Sequence, residues 1–159
     1  MSTAKPVPEG FHTITPHLIV RDSRAAIDFY QRAFGAQLQG GIATTPDGKV
    51  MHALIKIGDS LLMLNDEFPE HGVAAPKPGE SGVSLHIYVD HVDQFFDRAV
   101  DAGAQIKMPL ADMFWGDRYG KVLDPFGHQW TLGTHIKDMT QDEMKVAMDE
   151  AMGAMRKSA

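Results

Sequence analysis

Two stretches decide the fold of this chain: HLIVRDSRAAIDFYQRAFGAQL at residues 17–38 and HIYVDHVDQFFDRAVDAGAQI at residues 86–106. Each begins with a histidine and continues as a β-rich run. An amphipathic helical pattern follows and ends in Gly-Ala-Gln. His17 and His86 are 69 positions apart, a period too long for a solenoid repeat. We therefore interpret the chain as two copies of one small αβ module.

Capping and turn residues give both copies the same order of elements. Asp22 is a typical N-cap before the first helical pattern, and Gly35 is typical of a helix C-terminus. Gly58 and Gly127, again 69 positions apart, indicate the turn between the last two strands of each copy. The sequence therefore predicts an α+β fold of two tandem βαβββ modules followed by a C-terminal helix.

We expect one compact domain built from five segments. They are an N-terminal arm (1–10), a first module (11–68), a linker (69–82), a second module (83–136) and a C-terminal helix (137–159). Thr140 and Glu143 form a capping-box pattern at the start of that helix. An apolar stripe follows it, consisting of Met144, Ala147, Met148, Ala151 and Met155. We expect this stripe to pack on the core or across a homodimer interface.

Composition excludes several classes of function. The formal net charge is −6 and no basic stripe is present, which disfavours a nucleic-acid partner. The chain has no cysteine, so disulfides, thiolate chemistry and cysteine metal ligands are excluded. No long apolar run predicts a membrane span, and the N-terminal residues do not resemble a secretory signal. A cytoplasmic location is the expectation.

His17 and His86 occupy equivalent strand positions, and strand alternation predicts that both face a common cavity. One interpretation is a ligand-facing or catalytic pair, because imidazole serves both proton transfer and metal binding near neutral pH. The other interpretation is a pair of strand histidines that are hydrogen bonded to their neighbours.

The stretch WGDRYGKVLDPFGHQW at residues 115–130 concentrates aromatic and charged groups. Trp115, Arg118 and Tyr119 have the chemistry to clamp a planar or anionic ligand at the cavity rim, with Met63 in an apolar lining. The alternative is structural: Trp130 would lie in the core, and Arg118 would form a local ion pair with its neighbour Asp117.

Four motifs in order resemble the vicinal oxygen chelate superfamily, which includes glyoxalase I, bleomycin resistance proteins and extradiol dioxygenases. They are VRDSRAAIDFYQRAFGA, IGDSLLML, HIYVDHVD and GKVLDPFGHQW. The PhnB-like branch is the most similar. The resemblance implies paired βαβββ modules that form an incomplete barrel around a cavity, often in a homodimer.

The resemblance also implies where metal ligands would lie. The usual positions fall on Thr15, Leu62 or Met63, Ser84 and Thr131, and none of these is a histidine or carboxylate. We therefore expect no cofactor, with a divalent metal displaced to His17 and His86 as the alternative.

The expected function is small-molecule binding without the usual metal site. The alternative is a lyase, isomerase or dioxygenase-type enzyme that uses His17 or His86 as a base or as a displaced metal ligand.

Overall fold

The computed structural model describes residues 4–159 and contains the two predicted modules. The elements of the first are β1 (His17–Val20), α1 (Ser23–Phe34), β2 (Gln37–Thr44), β3 (Val50–Ile57) and β4 (Ser60–Asp66). Those of the second are β5 (Ser84–Tyr88), α2 (Val92–Ala102), β6 (Gln105–Asp112), β7 (Asp117–Leu123) and β8 (Gln129–His135). The linker contains a single 3₁₀ turn, Pro69–His71, and the C-terminal helix is α3 (Gln141–Lys157).

Each module is a four-stranded mixed sheet with the same topology, which confirms the predicted duplication. The strand orders are β1-β4-β3-β2 and β5-β8-β7-β6, and the first strand of each module runs parallel to its last. His17 lies opposite Met63, whereas His86 lies opposite Thr131. This register makes Met63, and not Leu62, the structural counterpart of Thr131.

Local signals fixed the helix ends as predicted. The Asp22 side chain accepts a hydrogen bond from the Ala25 amide at 3.0 Å, and Gly35 ends α1 with a φ of 67°. That left-handed conformation favours glycine because a side chain would clash there. Thr140 and Glu143 form the complete capping box of α3.

The two modules are joined through their helices and an aromatic core. That core contains Phe29, Tyr30, Phe34, Phe126 and Trp130. The buried Asp124 carboxyl group accepts hydrogen bonds from Tyr30 Oη at 2.6 Å and Trp130 Nε1 at 2.8 Å. Because Tyr30 belongs to α1 and Asp124 to the second module, this contact crosses the module boundary.

Two arginines make a reciprocal contact between the C-terminal ends of α1 and α2. Arg98 donates to the carbonyl oxygens of Arg32 and Gln31 at 2.6 and 3.0 Å. Arg32 donates in return to the Ala102 carbonyl oxygen at 3.0 Å. Each guanidinium therefore satisfies carbonyl groups at the negative end of the other helix.

The C-terminal helix differs from its expected packing. No residue of α3 is buried in the chain, so of the two expected packings, on the core or across a homodimer interface, the first is not observed. Within residues 4–159, no helix has both the length and the apolar character needed to cross a membrane.

Candidate functional site

A cavity of about 720 Å³ lies between the two modules. One wall is formed by residues 10–16 and the β3–β4 turn, and the facing wall by the edge strand β5. Phe34, Phe95 and Trp130 line its inner end. The volume lies within the range of about 300–1,000 Å³ that is typical of small-molecule sites.

Few polar side chains reach this cavity. His12 enters from the segment before β1 and His86 from β5, while Asp59 and Ser60 lie at the β3–β4 turn. Ser60 Oγ donates to Asp59 Oδ1 at 2.9 Å, so those two groups partly satisfy each other. The cavity therefore combines mainly apolar walls with two imidazoles, one carboxylate and the hydroxyl-bearing residues Thr15, Ser60 and Tyr88.

His86 also belongs to a polar network on the outer face of the second sheet, the face that points away from the helices. His86 Nδ1 and Thr131 Oγ1 are hydrogen bonded at 2.7 Å, which fixes the ring orientation. The ring meets Tyr88 edge-on, with 4.2 Å between the ring centroids, and stacks on Tyr119, with 5.8 Å between the ring centroids. A Cβ atom at Gly133 would lie 3.2 Å from His86 Cε1, so glycine leaves room for the imidazole.

Partial burial sets the protonation state of His86. Burial lowers the pKa of this imidazole below its ordinary value of 6.5, and the nearby Asp117 carboxylate opposes that shift only in part. His86 is therefore neutral at pH 7. Its Nδ1 is engaged by Thr131, which leaves Nε2 as the nitrogen available to a ligand.

Asp117 is the centre of this outer-face network. Its side chain is buried and accepts hydrogen bonds from Tyr88 Oη at 2.9 Å and from Trp115 Nε1 at 3.0 Å. His135 Nδ1 lies 2.7 Å from the other carboxylate oxygen. Burial alone would raise the pKa of Asp117, but the hydrogen bonds from His135, Tyr88 and Trp115 outweigh it and lower the pKa.

His135 completes the network with a second carboxylate. Its Nε2 lies 2.9 Å from Asp138 Oδ1, so both ring nitrogens face acidic groups. Hydrogen bonds to Asp117 and then to Asp138 raise the pKa of His135 above its ordinary value. The same sheet face thus carries one imidazole that favours the neutral form and one that favours the charged form.

The structure brings together three of the six predicted ligand-binding residues. The rings of Trp115 and Tyr119 contact each other, with 5.2 Å between their centroids, and the Tyr119 ring stacks on that of His86. His17 and Met63 lie side by side on the outer face of the first sheet. Of the six, His86 alone lines the cavity, so the expected convergence of both histidines on one cavity is not observed.

Arg118 lies away from the other predicted residues. Its guanidinium is bound to Asp93 at 2.7 Å and Asp112 at 3.0 Å, on the helix-covered side of β7. Strand alternation places Asp117 and Tyr119 on the opposite face. The predicted local ion pair between Arg118 and Asp117 is therefore wrong, and Arg118 is not at the cavity rim.

Sequence reasoning missed Asp117, Tyr88, His135 and His12 as members of the site. Alternation along β7 would have paired Asp117 with Tyr119, and alternation along β5 would have paired Tyr88 with His86. His135 carries no such signal, because its position opposite Asp117 depends on the β7–β8 register.

The usual metal positions do not offer a set of ligands that suits a divalent transition metal. Thr15 Oγ1 donates to the His12 carbonyl oxygen, and Thr131 is bonded to His86. The other two positions are Met63 and Ser84, a thioether and a hydroxyl group, which are poor donors compared with imidazole or carboxylate. In the described part of the chain, no group of three or more histidine or acidic side chains is placed to hold a metal ion.

These features agree with the family to which the chain belongs, the glyoxalase/bleomycin resistance protein/dioxygenase superfamily, whose model matches residues 10–132. An uncharacterised protein of Mycobacterium tuberculosis is 42% identical over 139 residues, covering 85% of this chain and 81% of the relative. The protein YjdN of Escherichia coli is 28% identical, covering 73% of this chain and 90% of the relative.

Solved structures share the fold. TioX from Micromonospora is 28% identical with a TM-score of 0.62, and the match covers 79% of this chain and all of that one. A PhnB protein from Bacillus cereus, at 21% identity, has a TM-score of 0.62 over 77% of this chain and 99% of that one. The family match ends at residue 132, before α3 begins.

Proposed function

We propose that the protein binds a small, uncharged amphipathic molecule in the cavity between its modules, without a resident metal. The observation that carries this proposal is the cavity of about 720 Å³, whose walls are mainly aliphatic and aromatic. An apolar pocket with a few convergent polar groups is the usual plan of a small-molecule site.

The polar groups favour an uncharged ligand over an anion. Asp59 lies in the cavity wall, and the one arginine that sequence reasoning assigned to the ligand is held by Asp93 and Asp112. The neutral His86 supplies a fixed hydrogen-bonding nitrogen, and His12 supplies another from the segment before β1. A planar molecule with a carbonyl or hydroxyl group fits this combination.

A ligand screen tests the proposal, with His17→Ala as a matched control for His86→Ala. Both variants truncate equivalent strand histidines, but His86 alone of the two lines the cavity. A ligand present at about 100 times its dissociation constant stabilises the native state by about 2.7 kcal/mol. We expect thermal-shift hits to lose most of this stabilisation in His86→Ala and to keep it in His17→Ala. Equal responses in the two variants and the wild type would place the binding site elsewhere.

Fluorescence gives a second measurement of the same site. The chain has two tryptophans, and Trp130 lines the cavity. In a Trp115→Phe background, ligand titration should change the emission of Trp130. A ligand that stabilises the protein but leaves this emission unchanged does not occupy the cavity.

The absence of a resident metal is tested on protein purified without chelators. Hydroxyl and thioether donors bind divalent transition metals weakly, so we expect zinc, nickel, iron and manganese well below one equivalent per chain. One tightly held equivalent that is lost in His17→Ala or His86→Ala would instead support the displaced metal site.

A second candidate function is proton transfer by His86, as in a lyase or isomerase. The observation that favours it is the lowered pKa of an imidazole whose Nδ1 is held by Thr131, because a neutral, oriented histidine can act as a general base. A carbonyl ligand from the screen should then exchange its α-hydrogen for solvent deuterium. Loss of that exchange in His86→Gln, with binding retained, separates catalysis from binding.

A further inference from the structure

The strand β5 lines the cavity with its edge. Consecutive residues from Leu85 to Val89 all contribute to the cavity wall. Successive side chains of a strand point to opposite faces, so a single face would supply only every second residue. Leu85 and Ile87 pack against the core, whereas the His86 side chain belongs to the outer face. The cavity therefore runs along the main chain at the edge of the strand.

The pairing with β8 decides which backbone groups lie at that edge. Within the described chain β5 pairs with β8 alone, and the Val89 amide donates to the Gly133 carbonyl oxygen at 3.0 Å. The N–H and C=O groups of one strand residue point to the same edge, and those of the next residue point to the other. Residues an even number of positions from Val89 therefore share its β8 side. The N–H and C=O groups of His86 and Tyr88 point to the free edge.

Nothing in the described chain satisfies these backbone groups. Across residues 4–159, the N–H and C=O groups of His86 and Tyr88 make no hydrogen bond. A ligand that fills the cavity takes them out of contact with water and must replace the hydrogen bonds that water makes. The free edge therefore selects ligands that carry both hydrogen-bond donors and acceptors.

The first module shows how the equivalent edge is closed. The Ile19 carbonyl oxygen at the free edge of β1 accepts a hydrogen bond from Nε2 of His128, the last residue of the β7–β8 turn, at 2.9 Å. Tyr88 lies 69 positions after Ile19 and is its counterpart in β5. The β3–β4 turn on the wall opposite β5 carries Asp59 and Ser60, which are hydrogen bonded to each other. The edge of β5 is therefore open where that of β1 is closed.

We propose that the ligand of the cavity is an uncharged, extended chain of amide groups, such as a short capped peptide, which pairs with the free edge of β5 as an added strand. This inference rests on the proposed small-molecule site and names the class of its ligand. In the described part of the chain no lysine or arginine lines the cavity, whereas Asp59 does, so a free carboxylate has no partner there. An amide offers a donor and an acceptor without charge, which matches the backbone groups of His86 and Tyr88.

The dimensions of the edge suit a chain of a few residues. His86 and Tyr88 are two residues apart, which is about 7 Å along a strand. In an antiparallel pair, one ligand residue exchanges two hydrogen bonds with each of them, so three consecutive ligand residues engage both. Apolar side chains of the ligand then have Phe34, Phe95 and Trp130 to pack against at the inner end of the cavity.

Hydrogen exchange of the backbone amides tests the free edge directly. In the protein alone, the amides of His86 and Tyr88 should exchange at least about tenfold faster than those of Ile87 and Val89, which are bonded to β8. The capped peptides acetyl-Ala-Leu-Ala amide and acetyl-Ala-Phe-Ala amide should slow exchange at His86 and Tyr88. Failure of both peptides to do so overturns the proposal. So does protection of these two amides without peptide, whether constant or rising with protein concentration, because the edge is then already paired.

N-methylation of the peptide tests the hydrogen bonds without changing the protein. Methylating the first and third amide nitrogens, or the central one alone, removes donors from opposite edges of the extended peptide. Affinity is measured by Trp130 emission in the Trp115→Phe background. One methylation pattern should weaken binding by about tenfold or more, and the other should leave it nearly unchanged. Equal effects of the two patterns overturn the proposal.

Tyr88→Pro and Tyr88→Ala form a matched pair of variants. Both remove the phenol, but only proline removes the N–H group, on the edge where β8 needs no donor. We expect Tyr88→Pro to bind the peptides at least about fivefold more weakly than Tyr88→Ala, with native circular dichroism in both. Equal affinities of two folded variants overturn the proposal.

A non-peptide ligand from the thermal-shift screen separates this inference from the proposed function. If that ligand changes Trp130 emission and neither peptide does, the cavity binds small molecules and only the amide class of ligand is wrong. If neither the ligand nor the peptides change Trp130 emission, the proposed function fails together with the inference.

Discussion

The two modules share a backbone but present different outer faces. In the first, strand register and alternation place His17 on the same face as the apolar residues Ile19, Leu54 and Met63. In the second, the equivalent strands carry a network of hydrogen-bonded and aromatic residues, which are His86, Tyr88, Asp117, Tyr119, Thr131 and His135. The helix-facing sides remain alike, because both must cover the same core. The duplication preserved the packing of the modules, whereas the hydrogen-bonded aromatic network lies in the second copy.

The largest expected effect compares one carboxylate in each module, Asp124 in the β7–β8 turn and Asp66 at the end of β4. Asp124→Ala leaves the buried donors of Tyr30 and Trp130 unsatisfied and should reduce the free energy of unfolding by about 3–5 kcal/mol. In the first module, Asp66 accepts only two backbone amides in a partly buried position, so Asp66→Ala should cost about 1–2 kcal/mol. Urea unfolding with an unchanged m-value measures both. Equal losses would show that the contact between modules is not centred on Asp124.

An intermediate effect is expected in the pH dependence of stability. His86 and His135 lie on the same sheet face but should contribute in opposite pH ranges. The folded-state pKa of His135 is raised above 6.5, so its contribution to stability is complete below that pH and is lost as the pH rises through the folded-state pKa. The folded-state pKa of His86 is lowered, so its contribution is present above pH 6.5 and is lost as the pH falls through the folded-state pKa.

NMR titration of the imidazole signals checks this prediction. His86→Gln and His135→Gln serve to assign the two signals, and His135 should titrate at higher pH than His86. The reverse order, or coincident titrations, would falsify the described network around Asp117.

The smallest expected effect is that of Arg118→Ala. Exposed ion pairs are weakened by solvent and salt, so removal of the contacts with Asp93 and Asp112 should change the urea midpoint only slightly. Ligand binding should be unaffected, because Arg118 lies on the helix-covered side of β7. A large loss of ligand affinity in this variant would show that Arg118 contributes to ligand binding after all.

Much of the fold could be predicted from the sequence because the deciding signals are local. Asp22, Gly35 and the capping box at Thr140 act within one helical turn, and each ends or begins a helix where predicted. The family motifs then supplied the arrangement of the modules, which no local pattern contains.

The site could be predicted only in part because it depends on pairing between distant strands. The cluster of Trp115 and Tyr119 was expected, and strand register brings His86 to it. Arg118 was placed wrongly because a one-residue step along a strand reverses the face. The part of the cavity lined by the segment before β1, which includes His12, has no periodic signal in the sequence.

The reciprocal arginine contact between α1 and α2 has a consequence for the symmetry of the chain. Arg32 precedes its helix-ending Gly35 by three residues, whereas Arg98 precedes Gly103 by five. The two arginines are therefore not counterparts under the repeat, although they make equivalent contacts with the other helix. The contact that joins the two helices is therefore asymmetric, and a chain built from two identical copies of either module would not keep both of its arginines.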